Sequence, residues 1–243
     1  MNLIKLNAID STNSYLRSLV SQKELEDFSV VLTNHQQSGR GQMGTVWNAE
    51  KGKNLTCSVF KRNKGVVVHH QFYISMVTSL AIVKTLQEFH IPKIAVKWPN
   101  DILSSNKKLC GVLVENVMQK DEIKSSIIGI GLNVNQEEFP KELSSVTSIK
   151  NEIGKDVNID ILLQHLINEL KQTVSYITDS STNVLKKNYL KWLYKKNIPT
   201  MFKNSKDVLF MGKIVGVSAQ GKLQVELEDE TINEFTIKEV SFA

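Results

Sequence analysis

The chain has 243 residues, of which 41% are hydrophobic and 23% charged, and it contains only 12 glycines and 4 prolines. These values are typical of a globular protein with a sizeable core, and they exclude disordered and collagen-like chains. The net charge of +5 would attract phosphates or acidic partners, although a lysine-rich solvated surface is the simpler explanation.

The N-terminus lacks the apolar run and cleavage site of a secretory signal. No stretch approaches the roughly 18 apolar residues of a membrane span. The two cysteines, Cys57 and Cys110, show no paired spacing, which favours free thiols in a reducing compartment. We therefore expect a cytoplasmic protein with no membrane partner.

The first 197 residues show a mixture of strand and helix patterns. Asp10–Asn13 precedes an apolar periodic run and predicts a helix N-cap. Strands are predicted over 28–33, 54–60, 94–98, 109–117 and 125–134. Amphipathic helices are predicted over 71–89, 160–177 and 183–195.

The pattern changes after Pro199, so we predict a domain boundary near 196–200, with domains 1–197 and 198–243. Short β-rich runs separated by turn residues occupy 208–210, 213–217, 222–227 and 231–236. Such runs predict a small SH3-type barrel, which is too small to form an enzyme alone. This segment has five lysines and seven acidic residues, so the basic charge lies in the first domain.

A polar stretch over 34–53 contains four glycines and separates two predicted strands. Residues 39–44 match G-x-G-x-x-G, but a strand follows where a dinucleotide fold requires a helix, so we reject that assignment. A glycine-rich connection would be the plain alternative. Arg40 and Trp47 argue against it, because a guanidinium binds carboxylate or phosphate and an indole can stack on a base. The loop therefore predicts an anionic ligand that carries adenine.

Three further segments are compatible with such a ligand, and each also has a simpler explanation. Residues 10–13 would cap a helix, 97–101 (KWPND) would form an Asn-Asp turn, and a lysine within 107–111 would be solvated. Residues 129–135 form a strand in which two glycines allow close approach of a ligand or another backbone.

Taken together and in this order, five blocks resemble the biotin protein ligase family. They are DSTN (10–13), QQSGRGQMGTVW (36–47), KWPNDIL (97–103), KKLCGVLVE (107–115) and GIGLNVN (129–135). The resemblance covers essentially the whole chain and implies an α+β fold, with a mixed β-sheet catalytic domain, helices packed on one side and a C-terminal SH3-like barrel. Some relatives carry an N-terminal DNA-binding domain. Because DSTN begins at residue 10, we expect the monofunctional type, with no DNA partner.

The resemblance implies a two-step ligase reaction. Biotin's carboxylate attacks the α-phosphate of ATP, with Mg²⁺ assisting, to give biotinyl-5′-AMP and pyrophosphate. A specific lysine of a biotin carrier domain, such as that of acetyl-CoA carboxylase, then displaces AMP. Because the first step joins two anions, cationic positioning should matter more than proton transfer. This agrees with the absence of histidine from the five blocks. The carrier's identity and the oligomeric state stay open, and a homodimer is one allowed state.

The resemblance also implies roles for individual residues. Lys108, Arg40 and Asp101 would be catalytic, with Lys108 at the scissile acyl-phosphate and Asp101 on the nucleotide and Mg²⁺ side or orienting the incoming amine. The predicted biotin-binding residues are Ser11, Thr12, Asn13, Gln36, Gly39, Arg40, Gly41, Gln42, Lys108 and Gly111. The predicted ATP-binding residues are Arg40, Trp47, Lys97, Asn100, Asp101 and Asn133.

One departure from the family pattern affects the expected behaviour. Many relatives have a second arginine where this chain has Gln42, and further basic residues where it has Met43 and Thr45. Gln42 can donate a hydrogen bond but carries no charge. We therefore predict an adenylate that is released faster and with little salt sensitivity. Cys110 is expected to be a small core residue and not a nucleophile.

Two alternatives remain. A lipoate or octanoate ligase of the same superfamily would also acylate a carrier lysine, but it lacks KWPND and this form of the glycine-rich loop. A basic nucleic-acid-binding module would need a helix-turn-helix or a stacking platform, and neither pattern is found.

Overall fold

The computed structural model describes residues 2–177 and 181–243. Seven strands form the first sheet: β1 (Leu3–Leu6), β2 (Val30–Thr33), β3 (Leu55–Arg62), β4 (Ile94–Lys97), β5 (Asp101–Ser104), β6 (Lys107–Gln119) and β7 (Glu122–Leu132). Five α-helices accompany them among the described residues: α1 (Thr12–Gln22), α2 (Gln71–Glu88), α3 (Ile149–Ile153), α4 (Ile159–Thr173) and α5 (Thr182–Trp192). A second sheet follows, with β8 (Pro199–Asn204), β9 (Leu209–Val217), β10 (Leu223–Leu227), β11 (Ile232–Phe235) and β12 (Val240–Phe242).

The first sheet is mixed, and its strand order is β1-β2-β3-β7-β6-β5-β4. Only the β1–β2 pair is parallel in the described sheet, and every other neighbouring pair is antiparallel. The long strands β6 and β7 lie at the centre, where Gly111 is paired with Gly131. This mixed α+β architecture confirms the predicted fold class at that level.

The helices cover both faces of this sheet. Helix α2 packs against α4, α5 and strands β4, β5 and β6, and the large core on this face includes Val30, Val59 and Ile128. Helix α1 packs on the opposite face, where Leu16 meets Phe60 and Ile127. Neighbouring residues of a strand point to opposite faces of the sheet, so Val59 and Phe60 of β3 belong to different cores. The expectation that the helices pack on one side is therefore wrong for α1.

The second sheet is antiparallel throughout, with strand order β11-β10-β9-β8-β12. Its order is open within the described residues, so the predicted closed barrel is not confirmed. The turn between β9 and β10 contacts the residue that follows β4, where the indole Nε1 of Trp98 donates to the carbonyl oxygen of Gly221 at 2.8 Å. The sheet begins at Pro199, beside the predicted boundary, and the division into domains 1–197 and 198–243 stays a prediction.

Most of the long predicted elements are confirmed. Helices predicted over 71–89, 160–177 and 183–195 correspond to α2, α4 and α5, although α4 ends at Thr173 in a 3-10 turn and α5 ends at Trp192. The predicted strands 208–210 and 213–217 are one strand, β9, and the sequence did not indicate β1, β5, β8, β12 or α3. Apart from β8, these missed elements have only three to five residues, too few for a periodic pattern to appear. Within the described ranges, no helix has the length and apolar character needed to cross a bilayer.

Candidate functional site

A cavity of about 290 Å³ lies between the N-terminus of α1, the polar loop 34–53, the turn after β4 and strands β6 and β7. Most of the predicted site residues line it: Ser11, Thr12, Asn13, Gln36, Arg40, Gly41, Gln42, Trp47, Asn100, Asp101, Lys108 and Gly111. These residues come from four separate stretches of the chain, so the fold brings together segments that the sequence keeps far apart.

The polar end of the cavity is built around the start of α1. Ser11 is the N-cap, and its hydroxyl accepts from the backbone N–H of Ser14 at 3.4 Å. The side-chain oxygen of Gln36 accepts from the Thr12 amide and hydroxyl at 2.8 and 3.0 Å. The Ser58 hydroxyl lies 2.7 Å from Thr12 Oγ1 and 2.6 Å from Asn13 Oδ1. The predicted N-cap is confirmed, and its hydroxyls and amides form a buried, mutually oriented polar cluster.

A carboxylate that sequence reasoning missed adjoins this polar end. Glu115 on β6 receives an ion pair from Arg17 at 2.8 Å and hydrogen bonds from Asn13 at 2.8 Å and Arg40 at 3.3 Å. Its side chain is only 16% exposed. The one available signal was a charged residue at the end of the apolar run 112–114, a position usually explained by solvent exposure.

Lys108 and Asp101 form an ion pair at the other end, with Nζ 2.8 Å from Oδ1. Residues three apart on a regular strand point to opposite faces. Here a register shift in the β5–β6 pairing lets Lys108 share a face with Gly111, so that its Nζ lies 3.5 Å from where a Gly111 Cβ would be. The bulge thereby directs the lysine into the cavity.

The indole of Trp47 lies against the backbone of both central strands. A Cβ on Gly131 would lie 2.6 Å from Trp47 Cζ2, and one on Gly111 would lie 3.3 Å from Cζ3. A Cβ on Gly129 would meet the amide of Asn13 in the same way. The glycines of β7 thus admit two side chains, where the sequence had suggested a ligand or a second backbone. The Trp47 Nε1 is buried without a hydrogen-bond partner in the described residues.

Three predicted site residues do not line the cavity. Lys97 lies over the ring of Phe242 in the second sheet, with Nζ 5.1 Å from the ring centroid. Asn133 is buried and donates from its amide to the Thr147 carbonyl at 3.0 Å, so it joins β7 to the segment before α3. Gly39 lies within the loop opposite Trp47, where a Cβ would collide with the Trp47 carbonyl oxygen.

Asn100 lines the cavity, but its amide donates to the Val112 carbonyl at 2.6 Å, which fixes the turn between β4 and β5. Residues that were not predicted also line the cavity, among them Cys57 and, from the second sheet's side, Ile237.

Burial raises the pKa of the Cys57 thiol from 9.0 to about 12 and raises that of Cys110 as well. Both thiols are therefore protonated near neutral pH, which is unfavourable for nucleophilic chemistry.

Asp101 is the one carboxylate lining the cavity among the described residues. Residues 2–177 and 181–243 contain no cluster of three or more His, Cys, Asp or Glu that could hold a metal ion by themselves. Mg²⁺ that arrives with a nucleotide takes one or two protein carboxylates and completes its shell with phosphate and water oxygens. The donor set therefore fits a nucleotide-borne ion and does not fit a resident metal.

The sequence profile of the biotin/lipoate A/B protein ligase family matches residues 6–133 of this chain. Among curated proteins, the bifunctional ligase/repressor BirA of Bacillus subtilis is 30% identical over 234 residues, which cover 94% of this chain and 70% of that protein. The biotin–[acetyl-CoA-carboxylase] ligase of Mycobacterium tuberculosis is 32% identical over 148 residues, covering 57% of this chain and 52% of that protein.

A solved structure is similar over the full length of the chain. It is a biotin protein ligase from Aquifex aeolicus in complex with biotin and ATP, with a TM-score of 0.81 and 25% identity, covering 100% of this chain and 98% of that one. These comparisons confirm the resemblance found in the sequence blocks.

Proposed function

Because this chain belongs to the biotin/lipoate A/B protein ligase family, we propose that it is an ATP-dependent biotin protein ligase. It activates biotin as biotinyl-5′-AMP and transfers the biotinyl group to a lysine of a biotin carrier domain. The relative named as a biotin–[acetyl-CoA-carboxylase] ligase, and a similar structure that holds biotin and ATP, support biotin over lipoate as the substrate.

The observation that carries the proposal is the placement of two cations, Arg40 and Lys108, around one cavity. They stand 68 positions apart in the sequence, one in an irregular loop and the other on β6. In the first step a carboxylate oxygen attacks the α-phosphorus and pyrophosphate leaves. Two anions must approach each other, so preorganised positive charge lowers the barrier.

Biotin's uncharged head group binds at the polar end, among Ser11, Thr12, Asn13 and Gln36. The existing hydrogen bonds fix the direction of these donors and acceptors before the ligand arrives, which limits the ordering cost of binding. Its carboxylate then extends toward Arg40, whose guanidinium can hold two oxygens at once.

ATP binds at the opposite end, with adenine against the Trp47 indole. Asn100 shapes this end through its turn. Asp101 would hold Mg²⁺ that arrives with the nucleotide, and the ion would supply positive charge to the phosphates. Lys97 and Asn133 contribute to ATP binding indirectly, from outside the cavity. Lys97 does so through its contact with Phe242, and Asn133 through the segment before α3.

In the second step the neutral amine of the carrier lysine attacks the acyl carbon and loses one proton to water, the bond to the phosphate oxygen breaks, and AMP leaves with the electron pair. Lys108 lies where it can stabilise the negative charge that develops on the departing phosphate. Asp101, 2.8 Å from Lys108, keeps that ammonium oriented and accepts a hydrogen bond from the incoming amine.

The reaction takes place in the cytoplasm, in agreement with two free buried thiols. The second sheet is an SH3-like domain built on Phe202 and Val225, and Ile237 on its side forms part of the cavity wall.

ATP–pyrophosphate exchange tests the proposal. We expect exchange that requires biotin and is not supported by lipoate. Incubation with labelled biotin, ATP and a purified biotin carrier domain should label the carrier's lysine. Exchange that depends on lipoate would identify the related ligase, and exchange with neither acid would remove the enzyme assignment.

A further inference from the structure

Glu115 lies beside the cavity, accepts hydrogen bonds from Asn13 and Arg40, pairs with Arg17, and has no role in the mechanism above. We propose that Glu115 is a positioning residue, which holds Arg40 at the cavity wall until Arg40 pairs with the ligand anion instead. This inference rests on the proposed function, because it assumes that Arg40 binds the carboxylate and phosphate of the adenylate.

The three contacts of Glu115 are unequal. Arg17 reaches Oε1 at 2.8 Å and Asn13 reaches Oε2 at 2.8 Å, so each oxygen has one short partner. Arg40 reaches the same two oxygens through Nη2 alone, at 3.3 and 3.4 Å. A charge-assisted hydrogen bond weakens as it lengthens beyond about 2.9 Å, so Arg40 is the partner held least firmly.

The carboxylate stays satisfied when Arg40 leaves. At 16% exposure, Glu115 would be costly to leave without partners, but Arg17 and Asn13 continue to pair both oxygens. The Arg40 side chain is 47% exposed, so its guanidinium stays in contact with water while it moves from the Glu115 carboxylate to the carboxylate of the ligand. Glu115 therefore competes with the ligand for Arg40, and Arg17 weakens that competition by neutralising Glu115.

The competition predicts effects of opposite sign for two substitutions. Glu115→Gln removes the charge that holds Arg40 yet leaves an amide oxygen for Asn13, so adenylate binding should tighten by about two- to fivefold, the range for a partly exposed ion pair. Arg17→Ala leaves Arg40 as the remaining cation on Glu115, so binding should weaken by a similar factor. Both effects should disappear when Arg40 is replaced by Ala.

The experiment measures the dissociation constant of a non-hydrolysable biotinyl-adenylate analogue by calorimetry. It uses the full chain, the two single variants, and both variants in the Arg40→Ala background. Opposite shifts that vanish without Arg40 support the proposal. Weaker binding in Glu115→Gln that persists without Arg40 would overturn it, since Glu115 would then act only through Asn13.

Arg17 lies on the exposed face of α1, where its side chain is 57% exposed, so Arg17→Ala keeps the test valid if Glu115→Gln does not fold. An unchanged or smaller dissociation constant in Arg17→Ala would overturn the proposal. A wild-type protein that does not bind the analogue at all would refute the proposed function itself, and this result is separable from wrong signs in the variants.

Discussion

Substitution of Gly131 by Ala should impair ATP binding through a residue that never contacts the nucleotide. The added methyl would lie 2.6 Å from Trp47 Cζ2 and 2.8 Å from Cδ2, about 1 Å inside the usual carbon–carbon contact distance. Backbone on β7 cannot yield, because Gly131 is paired with Thr56 and Gly111 on both sides. The indole, held by an irregular loop, must therefore move away from the sheet.

The size of the effect follows from the stacking that is lost. An aromatic side chain under a base contributes about 1–3 kcal/mol, so displacement of Trp47 should raise the KM for ATP by about 5- to 150-fold. Biotin binding should change little, because the polar cluster around Thr12 and Gln36 lies at the other end of the cavity.

Biotin-dependent ATP–pyrophosphate exchange measures this effect, and Gly111→Ala tests how it depends on distance. Gly111 is paired with Gly131 under the same indole, but its added methyl would lie 3.3 Å from Trp47 Cζ3, so the KM for ATP should rise less than in Gly131→Ala. The same methyl would lie 3.4 Å from Lys108 Cε, so only the KM for ATP, and not kcat, is compared between the two variants. In a Trp47→Ala background, Gly131→Ala should have no further effect. An unchanged KM for ATP in Gly131→Ala, or additive losses in the double variant, would refute the reasoning.

Three other predictions concern the loop and the two thiols. Gln42→Arg adds a charge at the cavity wall and should slow release of labelled biotinyl-adenylate about tenfold, with a new salt dependence; unchanged or faster release would contradict this. Cys110→Ala should retain pyrophosphate exchange within about twofold and lose about 1 kcal/mol of unfolding free energy in urea, whereas inactivity of a folded variant would restore the nucleophile hypothesis. The pKa of Cys57 is about 12 in the folded protein and 9.0 ordinarily, so above pH 9 the unfolded chain binds fewer protons and stability falls as pH rises. Between pH 9 and 10 this thiol should cost about 1 kcal/mol of unfolding free energy, and urea titrations of Cys57→Ala should show a decline smaller by that amount; equal declines would show that the thiol ionises in the folded state.

Much of the cavity could be predicted because its residues occur in short, ordered blocks. The cap at Ser11 follows from local rules, since a hydroxyl before an apolar periodic run satisfies the first N–H groups of a helix. The blocks around Arg40, Asp101 and Lys108 were grouped by resemblance, and the mixed sheet explains how they become neighbours.

The remaining features depend on pairing between distant strands. The β5–β6 bulge that redirects Lys108 has no sequence signal of its own. The hairpin turn between β5 and β6 consists of Ser105 and Asn106, which adopt positive φ values of 49° and 65°. These two polar residues are its only sequence signal. Gly131 matters because it lies under Trp47, and Glu115 matters because it accepts a hydrogen bond from Arg40. Both pairs are far apart in the sequence and meet only in the folded chain.

Single-turnover formation of biotinyl-adenylate, measured for Arg40→Ala, Lys108→Ala and the double variant, tests the central claim most directly. If both cations stabilise one reacting centre, each single variant should be slower by about 100-fold or more. The double variant should be slower by less than the product of the two factors, because neighbouring groups that act together are not additive. Full activity in both single variants would contradict the assignment of this cavity as the ligase centre.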